Sequence, residues 1–114
     1  MSRVRAFERV RVAHASDVPV GRALSVSVHG VLVAIWRIGD GFHALEDRCP
    51  HAGSALHDGE LDGCVVRCPL HGWDFDVRTG FRPGQPDGFP IPGFRVRREG
   101  DLLLLDWPLR GNED

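Results

Sequence analysis

Two short segments concentrate the side chains able to hold a metal. Cys49-Pro50-His51 is a C-x-H pair and Cys68-Pro69-Leu70-His71 is a C-x2-H pair, with sixteen residues between them. In each the Cys comes first, a Pro follows it directly and a Gly stands close by, Gly53 in one and Gly72 in the other. Two loops of matched design could close on one site from opposite sides. Two thiolates and two imidazoles are soft to borderline donors, suited to zinc or an iron–sulfur cluster rather than to magnesium or calcium. The second segment, GCVVRCPLHGW, also holds Cys64. Taken alone it leaves open whether the two cysteines are a disulfide partner and a spare, a redox dithiol or metal ligands.

The rest of the chain must position those loops. With 114 residues, 42% hydrophobic and 26% charged, it has the length and balance of one globular domain, expected to span residues 1–114. A formal net charge of -2 gives no reason to expect nucleic acid or membrane as a partner. The charge is uneven, however. Residues 1–39 carry six Arg against two acids, 40–76 two Arg against eight acids, and 77–114 six of each. The acidic middle third holds all three cysteines. Beside an electron exit it would be a candidate face for docking a basic partner. No apolar run follows the charged start MSRVRAFERV, and Leu102–Leu105 is far too short to span a bilayer. A cytoplasmic location is expected, where cysteines read as ligands or reactive thiols before they read as disulfides.

The periodicity is that of strands. Leu24, Val26 and Val28 alternate with Ser25 and Ser27, and His29-Gly30 turns the chain into the continuous apolar run Val31–Trp36 of a central strand. Gly39-Asp40-Gly41 makes the next turn before a short strand over Phe42–Glu46. Trp73, Phe75 and Val77 alternate with Asp74, Asp76 and Arg78, ahead of a turn at Thr79-Gly80. Phe94 and Val96 alternate with Arg95 and Arg97, and Gly100-Asp101 leads into Leu102–Asp106. Short strands with Gly-rich turns predict an all-β sandwich or barrel. The one predicted helical turn is near Ala15–Pro19, with Ser16 or Asp17 as its cap. Two segments break the rhythm: a long loop from Cys49 to Gly63 and a proline-rich one from Phe81 to Pro92. Long irregular loops in a compact domain are usually functional.

CPHAGSALHDG and CPLHGWDFDVRTG resemble the two cluster-binding loops of the Rieske [2Fe–2S] family, and the likeness runs from about Phe7 to Trp107. The resemblance implies a Rieske-type antiparallel β-sandwich with a small cluster-binding subdomain of two ligand loops, at about residues 47–82. It implies that Cys49 and Cys68 bind an inner iron, and His51 and His71 an outer one, with two bridging sulfides. Pro50, Gly53, Ser54, Pro69, Leu70, Gly72, Trp73 and Phe75 would surround them. Two thiolates and two neutral imidazoles leave a diferric cluster with a charge of about zero, so an added electron is better tolerated than in an all-thiolate site. High-potential relatives place a Ser and a Tyr hydroxyl where this chain has Trp73 and Phe75, and a loop-joining disulfide where it has Ser54 and Leu70. Lacking both, the chain is expected toward the low end of the roughly -150 to +300 mV Rieske range. In this family a proline-rich loop, here within Pro83–Pro92, covers the cluster from a third side.

The resemblance is strongest to Rieske-type ferredoxin components of bacterial ring-hydroxylating dioxygenase systems. It implies a one-electron carrier rather than an enzyme, reduced by a flavoprotein ferredoxin reductase and oxidised by a terminal oxygenase. The chain as given leaves no room for a mononuclear iron domain, and no nucleotide-binding glycine motif appears. Two other functions compete: the Rieske-like small subunit of assimilatory nitrite reductase, and a zinc-stabilised interaction module. C-x-H with C-x2-H is an unusual pattern for zinc, which commonly pairs Cys with Cys. Cys64 is expected as a bystander thiol on a strand, His57 as an exposed loop residue, and Asp74 and Asp76 as solvated. His14, His29 and His43 lie beside turns and need no special role.

Overall fold

The computed structural model describes residues 7–49, 55–69, 72–85, 88 and 90–108. Among the described residues nine strands follow in order: β1 Phe7–His14, β2 Leu24–Val28, β3 Val31–Ile38, β4 Gly41–Glu46, β5 Glu60–Asp62, β6 Val65–Arg67, β7 Asp74–Asp76, β8 Gly93–Glu99 and β9 Leu102–Pro108. All pair antiparallel, in a six-stranded sheet ordered β1-β9-β8-β4-β3-β2 and a three-stranded sheet ordered β5-β6-β7. The predicted all-β sandwich is therefore the observed one.

The larger sheet turns on β8. Gly93 and Phe94 pair with Leu45 and Ala44 of β4, whereas Arg95 to Glu99 pair with β9. One strand thus hands over from one half of the sheet to the other. The halves close on a core of Val28, Val33, Ile35, Ala44, Leu103 and Leu105, with Ala15 and Val18 from the β1–β2 connection. β3 is buried on both faces. Val33 and Ile35 point into that core, while Ala34 and Trp36 point into a second one shared with the small sheet. This double burial is why its sequence is a continuous apolar run rather than an alternation.

Tight turns set the registers. Val28 faces Val31 across His29-Gly30, whose φ values of 51° and 82° are those of a two-residue hairpin turn with both central residues left-handed. Gly39-Asp40 and Gly100-Asp101 close the β3–β4 and β8–β9 hairpins in the same two-residue span.

Four local expectations are corrected. The predicted helical turn forms, as a 3-10 turn over Ala15–Asp17, but neither Ser16 nor Asp17 is its N-cap. His14 occupies that place and donates its backbone N–H to the Asp17 carboxylate (3.1 Å), while Ser16 hydrogen-bonds Asp101. The stretch from Cys49 to Gly63 is not irregular throughout, since Leu56–Asp58 makes a 3-10 turn and Glu60–Asp62 is β5. Cys64 lies in the β5–β6 turn beside Gly63, not on a strand. Asp76 accepts hydrogen bonds from Arg78 Nε (3.0 Å) and a second guanidinium nitrogen (2.8 Å) rather than standing solvated.

Candidate metal centre

The second loop of the metal-binding pattern is the tip of the β6–β7 hairpin. Arg67 faces Asp74 in the register, so residues 68–73 form the connection. The Cys68 N–H donates to the Trp73 carbonyl (2.7 Å) and the Gly72 N–H to the Cys68 carbonyl (2.9 Å), drawing the loop closed at its neck. Gly72 has φ 70°, a left-handed conformation that a residue with a Cβ adopts at a penalty. Cys68, at 1% exposure, points into the core between the sheets. Arg67 and Asp74 pair across the same neck at 3.1 Å.

The first loop leaves the end of β4. The Glu46 N–H donates to the Pro92 carbonyl and the Asp47 N–H to the Leu32 carbonyl, so the chain is tied to two neighbours just before Cys49. Cys49 is fully buried, and Leu56, also fully buried, brings the chain back into the same core. Asp47 lies between these anchors with a carboxylate that is wholly inaccessible. Its Oδ2 accepts from Ser25 Oγ (2.8 Å) and lies 2.6 Å from His57 Nδ1, and its Oδ1 accepts the His57 N–H (2.8 Å). An unpaired buried carboxylate is strongly disfavoured, and here three donors satisfy it. His57, expected as an exposed loop residue, is instead the side chain that closes the loop on Asp47. It is about one-third exposed, and its Nε2 lies 3.4 Å from Asp58.

Cys49 and Cys68 thus come from the necks of two loops into one core with Ala34, Trp36, Leu45, Leu56, Val66, Phe75, Val77 and Ile91. Trp73 packs against that group and Phe75 is inside it, as their alternation predicts. His51 and His71 lie outside the described residues, as do Pro50, Gly53, Ser54 and Leu70. Pro69 and Gly72 are exposed at the second tip. Among the described residues no three His, Cys, Asp or Glu side chains are arranged to hold a metal ion, and the two cysteines are half of the expected four-ligand set. Two buried thiols presented by separate loops are a donor arrangement that fits a soft metal or an iron–sulfur cluster and gives nothing to a hard cation.

A third segment packs beside the loops. Gly80 (φ 82°) approaches Ile91 so closely that a Cβ there would collide with the Ile91 carbonyl, and the Ile91 N–H donates to the Gly80 carbonyl (2.9 Å). This pins the end of the proline-rich segment to the turn that follows β7. The Arg82 guanidinium stacks on the Trp73 ring at 4.3 Å from its centroid. Sequence reasoning missed Ser25, Asp47 and Arg82. Asp47 stands two residues before a ligand-type Cys, but nothing in the periodicity marks it as buried.

Away from this centre, His43 on β4 borders an open cavity of about 340 Å³ with Arg78, Thr79, Phe94 and Arg95. Burial first, and the nearby Arg78 second, hold the His43 pKa below its ordinary value, partly countered by Asp76.

Comparison with known proteins agrees with the geometry. The model of the Rieske [2Fe-2S] domain matches residues 8–94. The chain is 39% identical over 97 residues to ferredoxin CarAc of Metapseudomonas resinovorans, covering 83% of this chain and 91% of that one. It is 34% identical over 103 residues to the 3-phenylpropionate/cinnamic acid dioxygenase ferredoxin subunit of Escherichia coli (strain K12), covering 90% and 96%. Among solved structures it resembles the ferredoxin of carbazole 1,9a-dioxygenase from Nocardioides aromaticivorans IC177, with TM-score 0.78 and 32% identity over 86% of this chain and 96% of that one. The small subunit of a nitrite reductase shares the fold with TM-score 0.75 at 20% identity, covering 86% and 97%. A Rieske fold with two buried cysteines on paired loops defines an iron–sulfur protein. This chain belongs to the Rieske [2Fe–2S] family, and its cofactor is a Rieske-type [2Fe–2S] cluster.

Proposed function

We propose that the chain is a soluble, cytoplasmic one-electron carrier, a Rieske-type ferredoxin serving a dioxygenase system that oxidises aromatic compounds. The observation that carries this reading is the single core into which both ligand loops deliver a buried cysteine, in a fold shared with dioxygenase ferredoxins at more than 30% identity. Cys49 and Cys68 would hold the inner iron, His51 and His71 the outer one, within a cluster-binding part at about residues 47–82. The bound cluster supplies reversible one-electron chemistry. The chain's own contribution is to keep water from the thiolate side with Leu56, Val66, Phe75 and Ile91, and to hold the two necks in fixed relation.

A flavoprotein reductase would supply the electron and a terminal oxygenase would receive it. A solved complex of reduced oxygenase and oxidized ferredoxin in carbazole 1,9a-dioxygenase contains a chain that matches this one at 34% identity and TM-score 0.77, covering 90% of this chain and 97% of that one. The exposed Asp58, Glu60 and Asp62, beside the ligand loops, offer a partner negative charge. Among the described residues no helix is long and apolar enough to cross a membrane. Potentiometric titration of the loaded protein tests the reading. It should give one reversible one-electron wave toward the low end of the Rieske range, and a protein with no such wave contradicts it.

A further inference from the structure

Three arginines belong to the small sheet and its flanks, and two of them are neutralised. Arg67 pairs with Asp74 and Arg78 with Asp76. Arg82 is different. Among the described residues it makes no ion pair, and its Nε is buried with no hydrogen-bond partner. Asp76, which borders the same cleft, already has both oxygens taken by Arg78. A guanidinium is always protonated in a protein. A positive charge unpaired among the described residues therefore stands on the Trp73 ring, 4.3 Å from its centroid. Trp73 also reaches inward: its carbonyl accepts the Cys68 N–H, and its side chain packs on the core that holds Cys49 and Cys68.

We infer that Arg82 raises the reduction potential of the site by holding a cation on the Trp73 ring of the second ligand loop that nothing among the described residues pairs. The inference rests on the reading that the cluster lies between the two loops. Reduction would take in one electron from the reduced flavoprotein and reoxidation would pass it to the oxygenase, with no bond made or broken. The reduced site carries one more negative charge than the oxidised one. A fixed positive charge nearby favours the more negative form, and partial burial keeps solvent from screening that attraction fully.

The test is potentiometric titration of the cluster-loaded protein and of Arg82→Gln and Arg82→Lys, with visible circular dichroism to show that the cluster environment is retained. Poised at the wild-type midpoint, Arg82→Gln should show roughly a threefold or greater fall in the ratio of reduced to oxidised protein. Arg82→Lys, which keeps the charge, should stay close to wild type. An Arg82→Gln midpoint equal to wild type overturns the inference, and so does an Arg82→Lys fall as large as that of Arg82→Gln. Should Arg82→Gln fail to fold, Arg82→Met keeps the stem's packing and is read the same way. A wild-type protein that takes up no iron and sulfide would sink the underlying reading instead. A wild-type couple that no Arg82 variant moves leaves that reading standing and removes only this inference.

Discussion

Asp47 and His57 close the first ligand loop at its neck, the imidazole Nδ1 lying 2.6 Å from a carboxylate with no solvent access. The two residues bracket Cys49 and the segment after it, so the contact fixes where that segment starts and where it ends. His57→Ala would leave Asp47 with Ser25 and one backbone N–H as donors. Removing a partner from a buried carboxylate destabilises by about 1–3 kcal/mol. Denaturant unfolding should show that loss, and bleaching of the loaded protein by an iron chelator should be faster. Unchanged stability and bleaching would mean that the pair does not hold the loop.

Gly59 sits against β6 where no side chain fits. A Cβ there would collide with the Arg67 carbonyl and press on Val66. Because the obstacle is backbone, relief requires β5 to move away from β6, which also displaces the first loop relative to Cys68. Gly59→Ala should therefore destabilise by about 1–3 kcal/mol in thermal or denaturant unfolding, as overpacking does. It should lose the cluster more readily than wild type, whereas a variant as stable as wild type would show that the two strands are not so closely held.

How far these sites could be read beforehand depended on how many residues shared a pattern. β2, β3, β4, β8 and β9 each carry several apolar side chains in a row or at strand spacing and are bounded by turn glycines, so they show in the sequence. β5, β6 and β7 are three residues long. A strand of that length fixes one or two buried side chains, and β5 passes for loop within Cys49–Gly63, while β7 shows only because Trp73 and Val77 extend its alternation. β1 was overlooked although Val10 and Val12 alternate with Arg9 and Arg11, because no turn signal precedes it. The ligand candidates stood out since their types are rare and their spacing is paired. Asp47–His57 and Trp73–Arg82 did not, because each joins ordinary residues nine or ten positions apart through loop closure alone.

His43 should give stability a pH dependence just below neutrality. Its folded pKa lies under the ordinary 6.5, from burial and then from Arg78. In the window below 6.5 the unfolded chain then binds more protons than the folded one, so stability is full above that value and falls as the pH drops through the window. The Asp76 pKa is also lowered, chiefly by its hydrogen bond from Arg78, but its contribution is lost only as the pH falls below the ordinary 3.8. Melting temperatures between about pH 7 and 5 should fall less steeply in His43→Gln than in wild type. Equal slopes would show that His43 is not the group responsible.

Cys64 and Cys68 lie four residues apart and should respond oppositely. Cys64 stands in the β5–β6 turn, half-buried, and its carbonyl accepts the Val77 N–H, a bond that a Ser backbone keeps. Cys64→Ser should retain the visible spectrum of the loaded protein, with a stability change of about 1 kcal/mol or less. Cys68→Ser should lose the spectrum. Loss in the Cys64 variant would mean that the ligand set is misassigned.

The central claim is that Cys49, His51, Cys68 and His71 hold a two-iron cluster, and metal and sulfide analysis of the purified protein tests it most directly. The predicted result is a coloured protein with two irons and two acid-labile sulfides per chain. A colourless protein with one zinc per chain and no sulfide would contradict it.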